Sequence, residues 1–286
     1  MVKYLLRKLF WGFFRHLLPD ELYLKIRYWI ELDEWPDLNQ PRKFTEKIQY
    51  LKLHEQSGVR KKVANRTTAR EYVKEKVGRD YLIPLIGIYD ELTREIWDSL
   101  PNQFVLKANH GSAMLKIVFD KSQEEYHDLY HQTEKWKKFD YAEFGRERVY
   151  DGIPRTIVAE KLLLDKDGSI PPDYKFFCFH GRVEIIQVDI DRFNNQKRKL
   201  VDRDFTEIKA TILHPKYKED LECPENLDEA IDLAEKLSAD FNFIRVDLYL
   251  LENKIYVGEL TNYPGNGFQP FQPESMEYKV GDLLQL

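Results

Sequence analysis

Apolar residues recur at helical spacing at the start of the chain: Leu5, Leu6, Leu9, Phe10, Phe13, Phe14 and Leu17, with Lys3, Arg7, Lys8, Arg15 and His16 around them. The pattern predicts one or two helices over residues 1–31. Leu18-Pro19-Asp20 breaks the first and caps the second. The apolar face of this segment has two readings: packing on the rest of the protein, or lying on an anionic membrane surface. Further helices are predicted from Thr45-Glu46-Lys47 and over Thr68–Val77, with Gly78 as the stop. Tyr81–Ile88 holds Pro84 and Gly87 and reads as an extended connection.

After Pro101 the period changes to that of strands. Runs at Gln103–Ala108, Leu115–Phe119 and Thr156–Lys161 are short and mostly apolar, and Lys121–Phe139 between them reads as helix. Asp173–His180 and Arg182–Asp191 predict antiparallel strands turning at His180-Gly181. Asp228 opens a helix carrying Ala230, Ile231, Leu233, Ala234 and Leu237. Phe243–Leu251 and Ile255–Leu260 form a last hairpin around Glu252-Asn253-Lys254. Helices first, then mixed elements with mostly antiparallel sheets, give an α+β class.

Composition narrows the function classes. A net charge of -5 on 286 residues argues against a generally basic nucleic-acid binder. Two cysteines, Cys178 and Cys223, form no disulfide framework, and Cys178 lies in an apolar run that reads as core. The aromatic stretch Leu9–Phe14 is too short to span a bilayer and has no small-residue cleavage site after it. The expected compartment is the cytosol, with peripheral contact at the inner membrane face left open for the first segment.

Three features carry candidate chemistry. In the last hairpin, Arg245 and Asp247 share one face of a strand, and Glu259 stands on the next strand. A three-residue loop at 252–254 sets Asp247 opposite Glu259, whereas a two-residue loop puts them on opposite faces. Two close carboxylates repel unless a cation lies between them, and magnesium takes oxygen ligands of this kind. The second feature is Lys107 followed by Asn109-His110-Gly111-Ser112, a lysine at a strand end with a loop able to offer backbone N–H groups to phosphate. It is not a Walker A sequence. The third is Glu160-Lys161-Leu162-Leu163, followed by Asp173-Tyr174-Lys175, where a strand edge can meet a base and a carboxylate a ribose. Taken singly, each has an ordinary structural reading as a charged hairpin, a surface turn or a salt-bridged strand end.

In this order the features resemble the ATP-grasp superfamily over roughly residues 101–270. The closer resemblance is to the TupA-like ATP-grasp family of bacterial polysaccharide gene clusters. It is carried by Phe44-Thr45-Glu46-Lys47-Ile48-Gln49, Phe104-Val105-Leu106-Lys107-Ala108-Asn109-His110-Gly111-Ser112, Asp173-Tyr174-Lys175-Phe176 and Gly258-Glu259-Leu260-Thr261. The resemblance implies two α/β lobes gripping ATP: a helical region at 1–100, a small lobe at 101–165 and a C-terminal lobe with the metal site at 166–286.

It also implies roles. Lys107 is the phosphate lysine, Asn109, His110, Gly111 and Ser112 the loop over the triphosphate, and Glu160, Lys161, Leu162 and Leu163 the adenine hinge. Asp173 is the ribose carboxylate. Lys175 and Arg245 act near the transferred phosphate, and Asp247 and Glu259 bind Mg2+. Thr261 stands where relatives often have Asn, so Thr261 or Asn262 becomes the third ligand. Ala113 replaces an expected second glycine, and Asn65-Arg66 replaces a frequent Asp-Lys, which lowers the weight on that segment.

The implied reaction turns a carboxylate into an acyl phosphate that an amine or thiol then attacks. The implied partners are a uronic-acid or other carbohydrate acceptor and an amine donor, with polysaccharide assembly proteins nearby. Arg192 and Arg198, in the basic loop Arg192–Lys199, are candidate acceptor ligands, with a solvated charge run as the alternative. Phosphotransfer to a glycan is a rival outcome of the same site. A glycosyltransferase using Asp189-Ile190-Asp191 as a DxD string ranks below both.

Overall fold

The computed structural model describes residues 7, 8, 10–12, 16–191, 195–252 and 254–286. From Asp20 on, helices come first: α1 (Asp20–Leu32), α2 (Phe44–His54), α3 (Gly58–Ala64) and α4 (Arg66–Val77), the last ending at Gly78 with a φ of 102°. Then follow β1 (Leu85–Tyr89), α5 (Arg94–Ser99), β2 (Phe104–Ala108), β3 (Leu115–Val118), α6 (Tyr126–Lys138), α7 (Tyr141–Gly145) and β4 (Ile157–Glu160). The remainder is β5 (Asp173–Phe179), β6 (Arg182–Ile190), β7 (Lys197–Val201), β8 (Thr211–Ile212), α8 (Leu227–Ser238), β9 (Phe243–Leu251), β10 (Lys254–Thr261), β11 (Phe271–Gln272) and α9 (Glu274–Leu283).

The expected α+β class holds, and every strand pair among these elements is antiparallel. A four-stranded sheet runs β1-β4-β2-β3, a five-stranded sheet β10-β9-β5-β6-β7, and a small one β11-β8. The β5–β6 turn has positive φ at His180 (50°) and Gly181 (80°), the geometry of a two-residue hairpin turn.

Alternation in the strands sorts the five-stranded sheet into two faces. Phe176, Cys178, Val246 and Leu248 pack against Ile231, Ala234 and Leu237 of α8. Phe177, Phe179 and Phe243 point the other way, onto Phe44 and Phe271, with ring centroids 5.1 to 6.2 Å from Phe44. The first half of that second face, nearer the start of β5, is polar and carries the site.

The Phe44–Gln49 segment is scaffolding. The Glu46 carboxylate accepts from the backbone N–H of Asp37, Arg42 and Lys43, each at 3.0 Å. Glu277 accepts from the Thr45 backbone N–H and hydroxyl at 3.0 and 2.7 Å, tying α2 to α9. Lys47 Nζ donates to the carbonyls of Gly281 and Leu284 at the end of α9. Gln49 Nε2 donates to the carbonyls of Asn266 and Gly267, which fixes the turn after β10.

Three expectations change. β1 pairs with β4, and Trp97 of α5 joins the core of the four-stranded sheet, so the helical region ends before Leu85 and not at residue 100. The helix at 227–238 starts after Asn226, with Asp228 in its first turn and not at its cap. The β9–β10 connection is two residues long, because Leu251 pairs with Lys254. Of the first segment, Phe10 packs 5.1 Å from the Tyr23 ring and Trp11 stacks 5.6 Å from Phe144. Leu5, Leu6, Leu9, Phe13 and Phe14 lie outside the described residues. No helix among the described residues is long and apolar enough to cross a membrane.

Candidate active site

β2 buries Phe104, Leu106 and Ala108 and turns Val105 and Lys107 to the opposite face. Val105 pairs with Glu160 and Lys107 with Val158, which makes Lys107 and Glu160 diagonal neighbours. Lys107 Nζ donates to Glu160 Oε2 at 2.7 Å, and Arg70 Nη1 to Oε1 at 2.9 Å. Burial acts to raise the Glu160 pKa, but Lys107, Arg70 and Arg66 outweigh it and hold the carboxyl below its ordinary value. Glu160 is therefore held by this chain's own cations. Glu160–Leu163 and the apolar residues Ile83, Val105 and Leu115 line a slot together with Asp173 and Tyr249. The Lys161 side chain is exposed, and its N–H donates to Pro84 O at 2.9 Å.

The loop after β2 is braced from outside the four-stranded sheet. Arg66 donates to Ala108 O at 2.8 Å and to Gly111 O at 3.0 Å, and its Nη1 lies 3.8 Å from Glu259 Oε2. One side chain thus links the loop to the last hairpin. Arg66 and Arg70 sit one turn apart on α4 and share a face. The low weight given to Asn65-Arg66 is corrected here. Asn65 caps α4, accepting from Thr67 N at 3.0 Å, and this sets the direction in which both arginines leave the helix.

Within the loop, Gly111 admits no side chain, since a Cβ there would stand 2.6 Å from Met114 Cε and 2.8 Å from the Tyr141 ring. Ser112 is half-buried and hydrogen-bonds the Tyr141 hydroxyl. Asn109 and His110 face inward, contrary to the expectation of ligand contact. Asn109 Oδ1 accepts from Thr67 N and its Nδ2 donates to Pro154 O, both at 3.1 Å. His110 Nε2 pairs with Trp136 O at 3.0 Å, and burial lowers its pKa below the ordinary histidine value.

On the five-stranded sheet, register assembles a row of charges. Lys175 pairs with Asp247 on β9 and Gln187 on β6, and Asp173 with Tyr249 and Asp189. Lys175 Nζ hydrogen-bonds Asp173, lies 3.2 Å from Asp189 and 4.0 Å from Asp247. Arg245 grips Asp247 with two hydrogen bonds of 2.6 Å and reaches Thr261 Oγ1 at 3.3 Å. Burial tends to lower the Arg245 pKa, but Asp247, Glu259 and Asp173 together raise it. For Asp247 burial dominates and the pKa is raised, although Arg245 and Lys175 oppose it.

Glu259 stands opposite Asp247 despite the short loop. Val257 pairs with Leu248, and then the register shifts by one so that Glu259 pairs with Asp247. Gly258 is the extra residue of this bulge. The two carboxylates and Thr261 Oγ1 offer oxygens on one face, a donor set suited to a hard divalent cation that keeps phosphate and water ligands. Among the described residues no three His, Cys, Asp or Glu side chains cluster at metal-binding distance.

Two expectations fail on this sheet. Asn262 is not in the site: its Oδ1 accepts from the buried Arg60 at 3.2 Å and its Nδ2 donates to Arg60 O at 3.1 Å. Arg198 is buried and committed within the chain, where it donates to both oxygens of Asp189 at 2.5 and 3.2 Å and to Ile212 O at 3.0 Å, so an acceptor would have to compete with Asp189 for it. The same contacts, with Gln187 and Lys175, enclose Asp189 and rule out a free DxD string. Arg192 lies outside the described residues.

The family model for TupA-like ATP-grasp proteins matches residues 46–285. The chain belongs to that family. A search of curated proteins finds no match. Among solved structures, this TupA-like ATP-grasp chain is similar to D-alanine–D-alanine ligase from Bacillus anthracis complexed with ATP, at 15% identity over 78% of this chain and 63% of that one, TM-score 0.44. It is also similar to the ATP-grasp ligase PsnB complexed with minimal precursor, at 11% identity over 84% and 66% of the two chains, TM-score 0.43. N5-carboxyaminoimidazole synthetase from Staphylococcus aureus complexed with ADP matches at 15% identity over 78% and 51%, TM-score 0.39. The chain thus spans 63%, 66% and 51% of these three lengths, and family membership rests on the family match alone.

Proposed function

We propose that the chain is an ATP-dependent ligase that joins a carboxylate to an amine through an acyl phosphate. The observation that carries this reading is one pocket lined by Lys107, Arg66, Arg70 and Glu259, with Lys175 and Arg245 set against Asp247, the cross-strand partner of Glu259. An apolar slot with Asp173 at its edge adjoins that pocket. This is the arrangement a nucleotide triphosphate needs: a flat apolar space for the base, a carboxylate for the ribose and cations for the phosphates.

In the proposed reaction a carboxylate oxygen of the acceptor attacks the γ-phosphorus and the ADP oxygen leaves with the bonding pair. The amine nitrogen then attacks the acyl carbon, the nitrogen loses a proton, and phosphate departs. Lys107 and Arg66 hold the triphosphate. Arg245, fixed by its two bonds to Asp247, faces the phosphoryl group in transfer without having to reorganise. A magnesium ion held by Asp247 and Glu259, with Thr261 Oγ1 or water beside them, would neutralise the phosphate oxygens. No nucleophile from the protein is required, and Cys178 is unsuited to the role, since burial pushes its thiol up to about 12. The finer reading, resting on the family resemblance, is that the acceptor is a uronic acid or related sugar of capsule or envelope polysaccharide.

The test is incubation of the protein with MgATP and a pool of uronic acids and amino acids, read by phosphate release and mass spectrometry. A ligase releases phosphate only when both carboxylate and amine are present, and Asp247→Ala or Glu259→Ala abolishes release while the circular dichroism spectrum persists. Phosphate retained on a sugar would make the protein a phosphotransferase. Full turnover in both carboxylate variants would overturn the assignment of the site.

A further inference from the structure

The two-residue turn after β9 creates a geometrical problem that one glycine resolves. In an unbroken ladder starting from the Leu251–Lys254 pair, Asp247 would face residue 258, and Glu259 would point to the opposite, apolar face with Ile255 and Val257. The register shift between Val257 and Glu259 removes that outcome. The position that absorbs the shift has almost no room. A Cβ on Gly258 would stand 2.9 Å from Tyr249 Cε2 and 3.3 Å from Asp247 O. Tyr249 in turn lines the slot beside Asp173, its cross-strand partner.

We propose that Gly258 is a positioning residue that couples the two halves of the nucleotide site: its bulge turns Glu259 toward Asp247, and its missing side chain lets the Tyr249 ring close the slot. The inference rests on the reading of Asp247 and Glu259 as cation-binding carboxylates and of the slot as the base site. A methyl group at 258 meets the ring first. The ring then moves into the slot, or the bulge straightens and Glu259 turns away. Both outcomes weaken nucleotide binding, the first without any need for metal.

The experiment is a double-mutant cycle on ATP affinity, measured by calorimetry in EDTA and again with excess Mg2+, using the parent protein, Gly258→Ala, Tyr249→Ala and the double variant. In EDTA, Gly258→Ala should weaken ATP binding at least ~10-fold in the parent background and less than ~3-fold in the Tyr249→Ala background, the gap of at least ~3-fold marking a coupled pair. The gain in affinity on adding Mg2+ should shrink in Gly258→Ala. If Gly258→Ala fails to fold, recovery of the fold in the double variant supports coupling through the ring, and failure in both backgrounds overturns it. Equal losses in both backgrounds, or parental affinity in Gly258→Ala, also overturn it. A parent protein that binds no ATP would instead remove the functional reading on which the proposal stands.

Discussion

Replacing Asp189 with Asn should destabilise the protein by an amount that depends on pH in a defined way. Asp189 is buried on β6 and takes hydrogen bonds from Arg198 and Gln187, with Lys175 at 3.2 Å. Burial by itself would raise its pKa, but Lys175 and Arg198 bring it from 3.8 down to about 2. That difference corresponds to about 2.4 kcal/mol at ~1.36 kcal/mol per pH unit. The folded-state pKa is the lower one, so the contribution is fully present above about pH 4 and is lost as pH falls through about 2. At pH 3 roughly 1.3 kcal/mol of it remains. Asn keeps the shape and loses the charge, leaving two buried cations short of a partner, so the cost at pH 7 should be about 2–4 kcal/mol. Urea unfolding of parent and variant, followed by tryptophan fluorescence at pH 7, 5 and 3, measures the gap at each pH. The gap should narrow by about 1 kcal/mol between pH 7 and pH 3. A gap of the same size at both, or one below ~0.5 kcal/mol at pH 7, would refute the charge argument.

Lys107→Met should weaken ATP binding by about tenfold or more and leave Arg70 as the side chain hydrogen-bonded to Glu160, with equilibrium titration as the check. Arg66→Met should release Gly111 O and Glu259 together; limited proteolysis within 108–114 should speed up and ATP affinity should fall, while an unchanged cleavage pattern would show that the loop does not depend on Arg66. Ala113 is exposed with a φ of 59°, so Ala113→Gly should stabilise the protein by about 1 kcal/mol, seen as a small rise in Tm, and a fall in Tm would contradict the strain argument.

Much of the architecture is legible in local patterns. The period-2 runs fix β5, β6 and β9, the glycines at 78 and 181 mark a helix end and a hairpin, and the apolar stripe of α8 names its own buried residues. A further signal stands in β10. Ile255, Val257 and Leu260 all face the α8 side, so the apolar spacing on β10 goes from two to three, with Gly258 inside the wider step. A break in alternation at a glycine is the mark of a bulge, and it reconciles a two-residue loop with a Glu259 that faces Asp247.

The sequence by itself determined which side chains are available: a lysine at a strand end, a glycine that leaves the loop its path, carboxylates at alternate strand positions, and a family motif at Phe44–Gln49. Tertiary structure decided which of them are free. Asn109, His110, Asn262 and Arg198 carry the right chemical groups but are engaged by Pro154, Trp136, Arg60 and Asp189. Arg66 and Arg70 enter the site from a helix about forty residues before Lys107. The physical reason is that a buried polar group must find partners, and for these residues the partners come from segments that packing brings within about 3 Å.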